Sequence, residues 1–313
     1  MCSVDNIISR IQQLKKQRNA VILVHNYQLP EVQDIADFTG DSLGLSLEAS
    51  KTKADVIVFC GVYFMAETAK ILSPQKTVLI PEPSAGCPLA DMITAKQVRE
   101  LRLQHPNAKF VCYVNTSADV KAECDYCCTS ANAVEMLQDA FSEKEEIVFL
   151  PDKHLGSYAA FKTGRNVVIW DGYCPSHAHI LPEHILALKK EHPAAKVMAH
   201  PECSAAVVKL ADAVLSTSGM LRYAKETSAR EFIVATEIGM VYPLKLENPE
   251  KMFYAATQLA SCPNMKKTTL GKVLYSLEHM VHEVTLPQDT IDRAKKSIDN
   301  MLRFRKDAQL TRK

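Results

Sequence analysis

The stretch Asn166-Val167-Val168-Ile169-Trp170-Asp171-Gly172-Tyr173-Cys174-Pro175 decides the fold. Its apolar run reads as a buried strand, Asp-Gly ends it, and a cysteine with a proline behind it sits on the loop beyond. The same unit recurs twice. Thr77-Val78-Leu79-Ile80 leads to Cys87-Pro88, and Lys251-Met252-Phe253-Tyr254-Ala255-Ala256 leads to Cys262-Pro263. The three cysteines stand 87 and then 88 residues apart. Such even spacing predicts three copies of one unit, each bringing one thiol to a shared point.

Other elements repeat with the same period. First strands begin near Val21, Lys109 and Lys196 and end in His25-Asn26-Tyr27, Tyr113-Val114-Asn115 and His200-Pro201-Glu202. A short serine motif follows in each copy: Gly40-Asp41-Ser42, Cys128-Thr129-Ser130 and Ser216-Thr217-Ser218. Helical patterns come next, then the strands Val56-Ile57-Val58-Phe59, Ile147-Val148-Phe149-Leu150 and Phe232-Ile233-Val234-Ala235. Strands alternating with helical crossovers mean parallel sheets covered on both faces. The expected fold is α/β, with three pseudo-threefold-related α/β/α repeats around a central cavity. Residues 1–106 form the first repeat with an N-terminal helix over 7–16. Residues 107–193 form the second, and 194–313 the third with C-terminal helices.

The chain of 313 residues carries a net charge of +1, which implies neither a nucleic-acid nor an anionic-membrane partner. No apolar run approaches the roughly 20 residues that span a bilayer. The first residues lack the basic-then-apolar order of a signal peptide, so a cytoplasmic protein is expected. Ten cysteines in a reducing compartment point to metal rather than disulfides. Cys60 and Cys112 lie in strand-like runs and read as small buried apolar residues. Cys124-Asp125-Tyr126-Cys127 contains a CxxC but has no second ligand pair, so it reads as a loop leading towards a helix, with a redox role the lesser reading.

In parallel sheets ligands bind beyond the carboxyl ends of the strands, where the motifs above fall. Thiolates from Cys87, Cys174 and Cys262 fit three corners of a [4Fe–4S] cluster and leave one iron open as a Lewis acid. A three-cysteine zinc site is the competing reading. Ser42, Ser130 and Ser218 each precede a helical pattern and read as N-caps. Three helix N-termini facing one cavity would favour a polyanionic small molecule. His25, His200, Tyr27, Tyr113 and Glu202 end first strands and are acid–base candidates. His177, in Cys174-Pro175-Ser176-His177, is a weaker one.

Taken together, His25-Asn26-Tyr27-Gln28, Phe64-Met65-Ala66-Glu67, Gly86-Cys87-Pro88-Leu89-Ala90-Asp91-Met92, Cys128-Thr129-Ser130-Ala131-Asn132-Ala133, His200-Pro201-Glu202-Cys203, Thr236-Glu237-Ile238-Gly239 and Cys262-Pro263-Asn264-Met265-Lys266-Lys267 resemble the quinolinate synthase family over nearly the whole chain. The resemblance implies condensation of iminoaspartate with dihydroxyacetone phosphate to quinolinate, phosphate and water. It implies a [4Fe–4S] cluster on Cys87, Cys174 and Cys262. It implies substrate binding by His25, Ser42, Tyr113, Asn115, Ser130, His200, Glu202 and Thr217, with acid–base work at Tyr27 and Glu202. Contact with the enzyme that supplies the imine, L-aspartate oxidase or aspartate dehydrogenase, would be transient. A hydro-lyase using the same open iron and a non-enzymatic iron–sulfur carrier are the alternatives.

Overall fold

The computed structural model describes residues 4–304 and 311–312. Twelve strands form three parallel sheets. The first contains β1 (Ala20–His25), β2 (Phe38–Gly40), β3 (Val56–Cys60) and β4 (Thr77–Leu79). The second contains β5 (Lys109–Tyr113), β6 (Tyr126–Cys128), β7 (Ile147–Leu150) and β8 (Val167–Ile169). The third contains β9 (Lys196–Ala199), β10 (Ala213–Val214), β11 (Glu231–Ala235) and β12 (Met252–Ala255). The strand orders are β2-β1-β3-β4, β6-β5-β7-β8 and β10-β9-β11-β12, one topology used three times. A thirteenth strand, β13 (Thr311–Arg312), adds to the free edge of β2 in antiparallel sense.

One hydrogen-bond device recurs in all three units and was not singled out in the sequence. Asp37 accepts the Ile22 N–H, Asp125 accepts the Phe110 N–H, and Asp212 accepts the Val197 N–H, each at 2.8 Å. The backbone N–H of each aspartate returns a bond to the carbonyl of the same strand residue. The aspartate thereby pins the start of the second strand of its unit beside the first. Asp125 is the residue inside Cys124-Asp125-Tyr126-Cys127, so this segment enters β6 rather than opening a helix.

Inner strands are mostly apolar because both faces are covered: β3, β7 and all but the first residue of β1, β5 and β11 are buried. The strands that carry the Cys-Pro loops are edge strands and less covered. In particular β8, which the sequence suggests is buried, is half-exposed along its length. Phe59, Phe110, Phe149 and Phe232, at the centres of the three sheets, have lost nearly all contact with water. Each such burial is worth about 1.5–3 kcal/mol. A single continuous core includes residues of all three units.

The N-terminal helix, Val4–Gln17, buries Ile11 and Leu14 and packs on the helix Leu270–His279. The chain beyond the third sheet turns back to the other two units. Val284 N–H bonds to Val78 O beside β4. The helix Gln288–Arg303 packs on the helix Ala118–Ala122, on β6 and on the helix Tyr63–Leu72. These C-terminal elements therefore clamp the first unit to the second.

Candidate active site

The carboxyl ends of strands from all three units meet in one cavity of about 70 Å³. Its wall includes His25, Tyr27, Ser42, Cys87, Tyr113, Asn115, Ser130, Cys174, His200, Glu202, Thr217 and Cys262. Every residue singled out above as catalytic, substrate-binding or metal-ligating is present. The units contribute pairs two residues apart: His25 with Tyr27, Tyr113 with Asn115, and His200 with Glu202. A strand end turning into a loop places both members of such a pair on the cavity wall.

Backbone geometry fixes the two strand-end histidines alike. Tyr27 N–H donates to His25 Nδ1 at 3.2 Å, and Glu202 N–H donates to His200 Nδ1 at 3.3 Å. Each neutral ring therefore carries its proton on Nε2. His200 Nε2 lies 3.1 Å from Ser130 Oγ. Burial, reinforced by the neighbouring imidazoles, lowers both histidines to about 3. Neutral, each has an Nε2–H to donate.

A buried hydrogen-bonded chain crosses the cavity. Tyr27 Oη lies 2.6 Å from Thr236 Oγ1, which lies 2.9 Å from His177 Nε2. His177 Nδ1 is 2.8 Å from Glu202 Oε2 and 3.2 Å from Cys174 Sγ. Glu202 Oε1 accepts from Tyr113 Oη at 2.6 Å and from Asn115 Nδ2 at 3.3 Å. Burial opposes the charge on Glu202, but the close contact with His177 and the Tyr113 hydrogen bond outweigh it and hold its carboxyl below the usual carboxylate range. Burial and the Glu202 charge hold both Tyr27 and Tyr113 well above the usual phenol range. Asn115 Oδ1 is buried without a hydrogen-bond partner, an acceptor aimed at a donor that the protein does not supply.

The serine readings need correction. Asp41 is the N-cap of the helix Ser42–Lys51 and accepts the Gly44 N–H, so a carboxylate already answers that helix terminus. In the second unit the helix is Ala133–Asp139; Asn132 holds the N-cap position without a side-chain cap, its Oδ1 accepting the Thr129 N–H instead, and Ser130 stands on the preceding turn. In the third, Ser216 caps Thr217–Glu226 and accepts the Gly219 N–H, leaving Ser218 inside the first turn. Asp41 and Ser216 cap because each has an extended backbone just before the first turn, a geometry that aspartate and serine both serve well. Thr217 reaches the cavity and accepts from Asn26 Nδ2 at 2.8 Å.

Among the nine described cysteines, Cys87, Cys174 and Cys262 are the only ones not fully buried. Cys60, Cys112, Cys124, Cys127, Cys128 and Cys203 are packed into the interior. Burial, and for Cys174 also the Glu202 charge, raises the thiols of Cys87 and Cys174, with Cys87 pushed up to about 12. Metal binding at these positions would release the thiol protons. Cys174, His177 and Glu202 also place three ligand atoms within 4.8 Å of one another, a group able to hold a metal ion.

His177 and Thr236 are the residues whose importance the sequence understated. The strand-end argument, applied to the first strands alone, stops short of Thr236, which lies one residue past β11. His177 stands 2 % exposed at the centre of the network and is held by groups from three separate loops.

A triplicated α/β scaffold with titratable side chains converging on one cavity defines an enzyme. Residues 9–303 match the family model described as quinolinate synthetase A protein. The chain is 53 % identical over 297 residues to a quinolinate synthase of Dehalococcoides mccartyi, covering 95 % of this chain and 98 % of that one. It is 53 % identical over 296 residues to the enzyme of that name from Methanosarcina barkeri, covering 95 % and 97 %. For Geobacter metallireducens the figure is 50 % over 303 residues, covering 97 % and 99 %. The chain belongs to the quinolinate synthase family. Among its described residues no helix is long and apolar enough to cross a membrane.

Proposed function

We propose that this chain condenses iminoaspartate with dihydroxyacetone phosphate, giving quinolinate, phosphate and two waters. The observation that carries the reading is the convergence of the twelve expected site residues on one cavity. We further propose that Cys87, Cys174 and Cys262 hold a [4Fe–4S] cluster, with one thiol from each of the units 1–106, 107–193 and 194–313. A single zinc ion would need its sulfur ligands within about 4 Å of one another. Among the described residues the group that compact is Cys174, His177 and Glu202 and not the three cysteines, which favours the cluster reading for the latter. When bound, the cluster supplies an open iron that polarises a leaving hydroxyl or a carbonyl.

The residues around it do the rest. Carboxylates and phosphate meet His25, His200 and the hydroxyls of Ser42, Ser130 and Thr217, which line the cavity among the described residues. Asn115 Oδ1 accepts from a substrate N–H or O–H. Tyr27 is the acid. When His177 is doubly protonated, its Nε2–H donates to Thr236 and the Thr236 hydroxyl donates to Tyr27 Oη, which frees the Tyr27 proton to face substrate. After Tyr27 gives that proton up, Thr236 replaces it and takes another from His177. Glu202 offsets the imidazolium charge and then accepts a proton released in ring closure. Excluding water from the cavity would protect the imine, which hydrolyses readily. The same instability favours transient contact with L-aspartate oxidase or aspartate dehydrogenase, and the thiols favour the reducing cytoplasm.

The test is an anaerobic assay with each substrate alone and with both. Quinolinate formed only from the pair supports the reading. Dehydration of a hydroxy acid without quinolinate would replace it with hydro-lyase activity.

A further inference from the structure

Glu237 lies just past β11 and is 1 % exposed. A carboxylate buried so deeply must be paired and hydrogen-bonded. Its Oε1 accepts the Cys262 N–H at 2.9 Å and lies 3.0 Å from Lys266 Nζ. Its Oε2 accepts the Gly239 N–H at 2.7 Å and lies 3.2 Å from the same ammonium. Lys266 Nζ also donates to the backbone carbonyl of Tyr27. A steric fact points to the same knot. A Cβ on Gly239 would stand 2.8 Å from Glu237 Oε2, from Lys266 Nζ and from Tyr27 O together. Glycine is the residue that lets these three groups close on one another.

We infer that Glu237 and Lys266 are positioning residues that hold the Cys262 loop of the third unit in fixed relation to Tyr27 of the first. The inference rests on the proposed reading of Cys262 as a metal ligand and Tyr27 as the acid. No covalent path shorter than most of the chain joins these two residues. Thr236 and Glu237, adjacent in sequence, grip Tyr27 at both ends: Thr236 at the hydroxyl, and Glu237 through Lys266 at the carbonyl. Glu237 grips Cys262 directly. The counterpart in the second unit is Asp152, past β7, whose Oδ1 accepts the Leu155 N–H at 2.7 Å and whose carboxylate also interacts with the Cys174 backbone N–H. The first unit has Val62 there.

The variants E237Q, G239A, K266R and C262S, purified anaerobically, test this. The readouts are iron and sulfide per chain, the rate of iron loss to a chelator, and kcat against KM. Supporting groups behind metal ligands typically alter affinity or activity by about 10–100-fold. E237Q and G239A are expected to assemble iron but release it faster by about that factor, with kcat falling more than KM rises, and K266R is expected to stay closer to the parent protein. G239A changes no charge, so it carries the test if E237Q does not fold. Parental iron-loss rates and kcat in both E237Q and G239A, with C262S losing its iron, would overturn the positioning role alone. Full iron retention in C262S would overturn the ligand reading and this inference with it.

Discussion

Replacing Thr236 with valine removes one oxygen atom and leaves the side-chain shape almost unchanged. That oxygen is bonded to Tyr27 Oη at 2.6 Å and to His177 Nε2 at 2.9 Å, and both partners are buried. Each partner left unpaired costs about 1–3 kcal/mol, so stability should fall by about 2–6 kcal/mol. The chemical cost is separate. With Thr236 gone, Tyr27 cannot be reprotonated from His177, and a positioned acid or base typically contributes about 10²–10⁴-fold. T236V should therefore keep its iron, lose kcat by about that factor, and unfold at lower urea. T236S retains the hydroxyl and should stay within about tenfold of the parent, since a methyl loss in a packed site costs about 1 kcal/mol. Anaerobic turnover with both substrates saturating, beside iron content and a urea titration, makes the measurement. Parental turnover in T236V with full iron would show that the proton does not travel this way.

Other outcomes follow from the same geometry. Tyr27→Phe should retain metal and lose turnover by about 10²-fold or more, measured as quinolinate formed per iron-replete chain. Cys87→Ser, Cys174→Ser and Cys262→Ser should each lose bound iron, whereas Cys124→Ser should not, and iron analysis separates the two groups. His25 and His200 are held neutral at about 3 against an unfolded value of 6.5. The unfolded chain therefore binds more protons below pH 6.5, and stability falls as pH drops through that value towards 3. Each histidine should cost about 1.4 kcal/mol per pH unit in that window, or about 2 kcal/mol at pH 5. A double variant, His25→Asn with His200→Asn, should show a shallower dependence of unfolding midpoint on pH. An unchanged slope would mean that other groups set it.

Much of this protein was readable from its amino-acid order because its period is long and regular. Cys87, Cys174 and Cys262 recur at 87 and 88 residues, and alternating apolar runs and turn residues mark the strands between them. Strand ends are where parallel sheets present chemistry, so His25, Tyr113, His200 and Glu202 could be named without coordinates. Ser42, Ser130 and Ser218 do not cap because Asp41 and Ser216 do so beside Ser42 and Ser218, and because the helix after Ser130 begins only at Ala133. Local chemistry alone does not say which of them has the extended backbone.

What only the folded chain decides is pairing across the units. Nothing in sequence links Thr236 to Tyr27, or Glu237 to Cys262 and, through Lys266, to Tyr27. These contacts join positions 25 to more than 200 residues apart, and they depend on how three sheets pack about one cavity. The same holds for His177, an unremarkable residue after a Cys-Pro turn until Cys174, Glu202 and Thr236 close around it. Periodicity records the local rules that each strand and helix obeys. The network in the middle arises from packing between elements, and packing leaves no period in the chain.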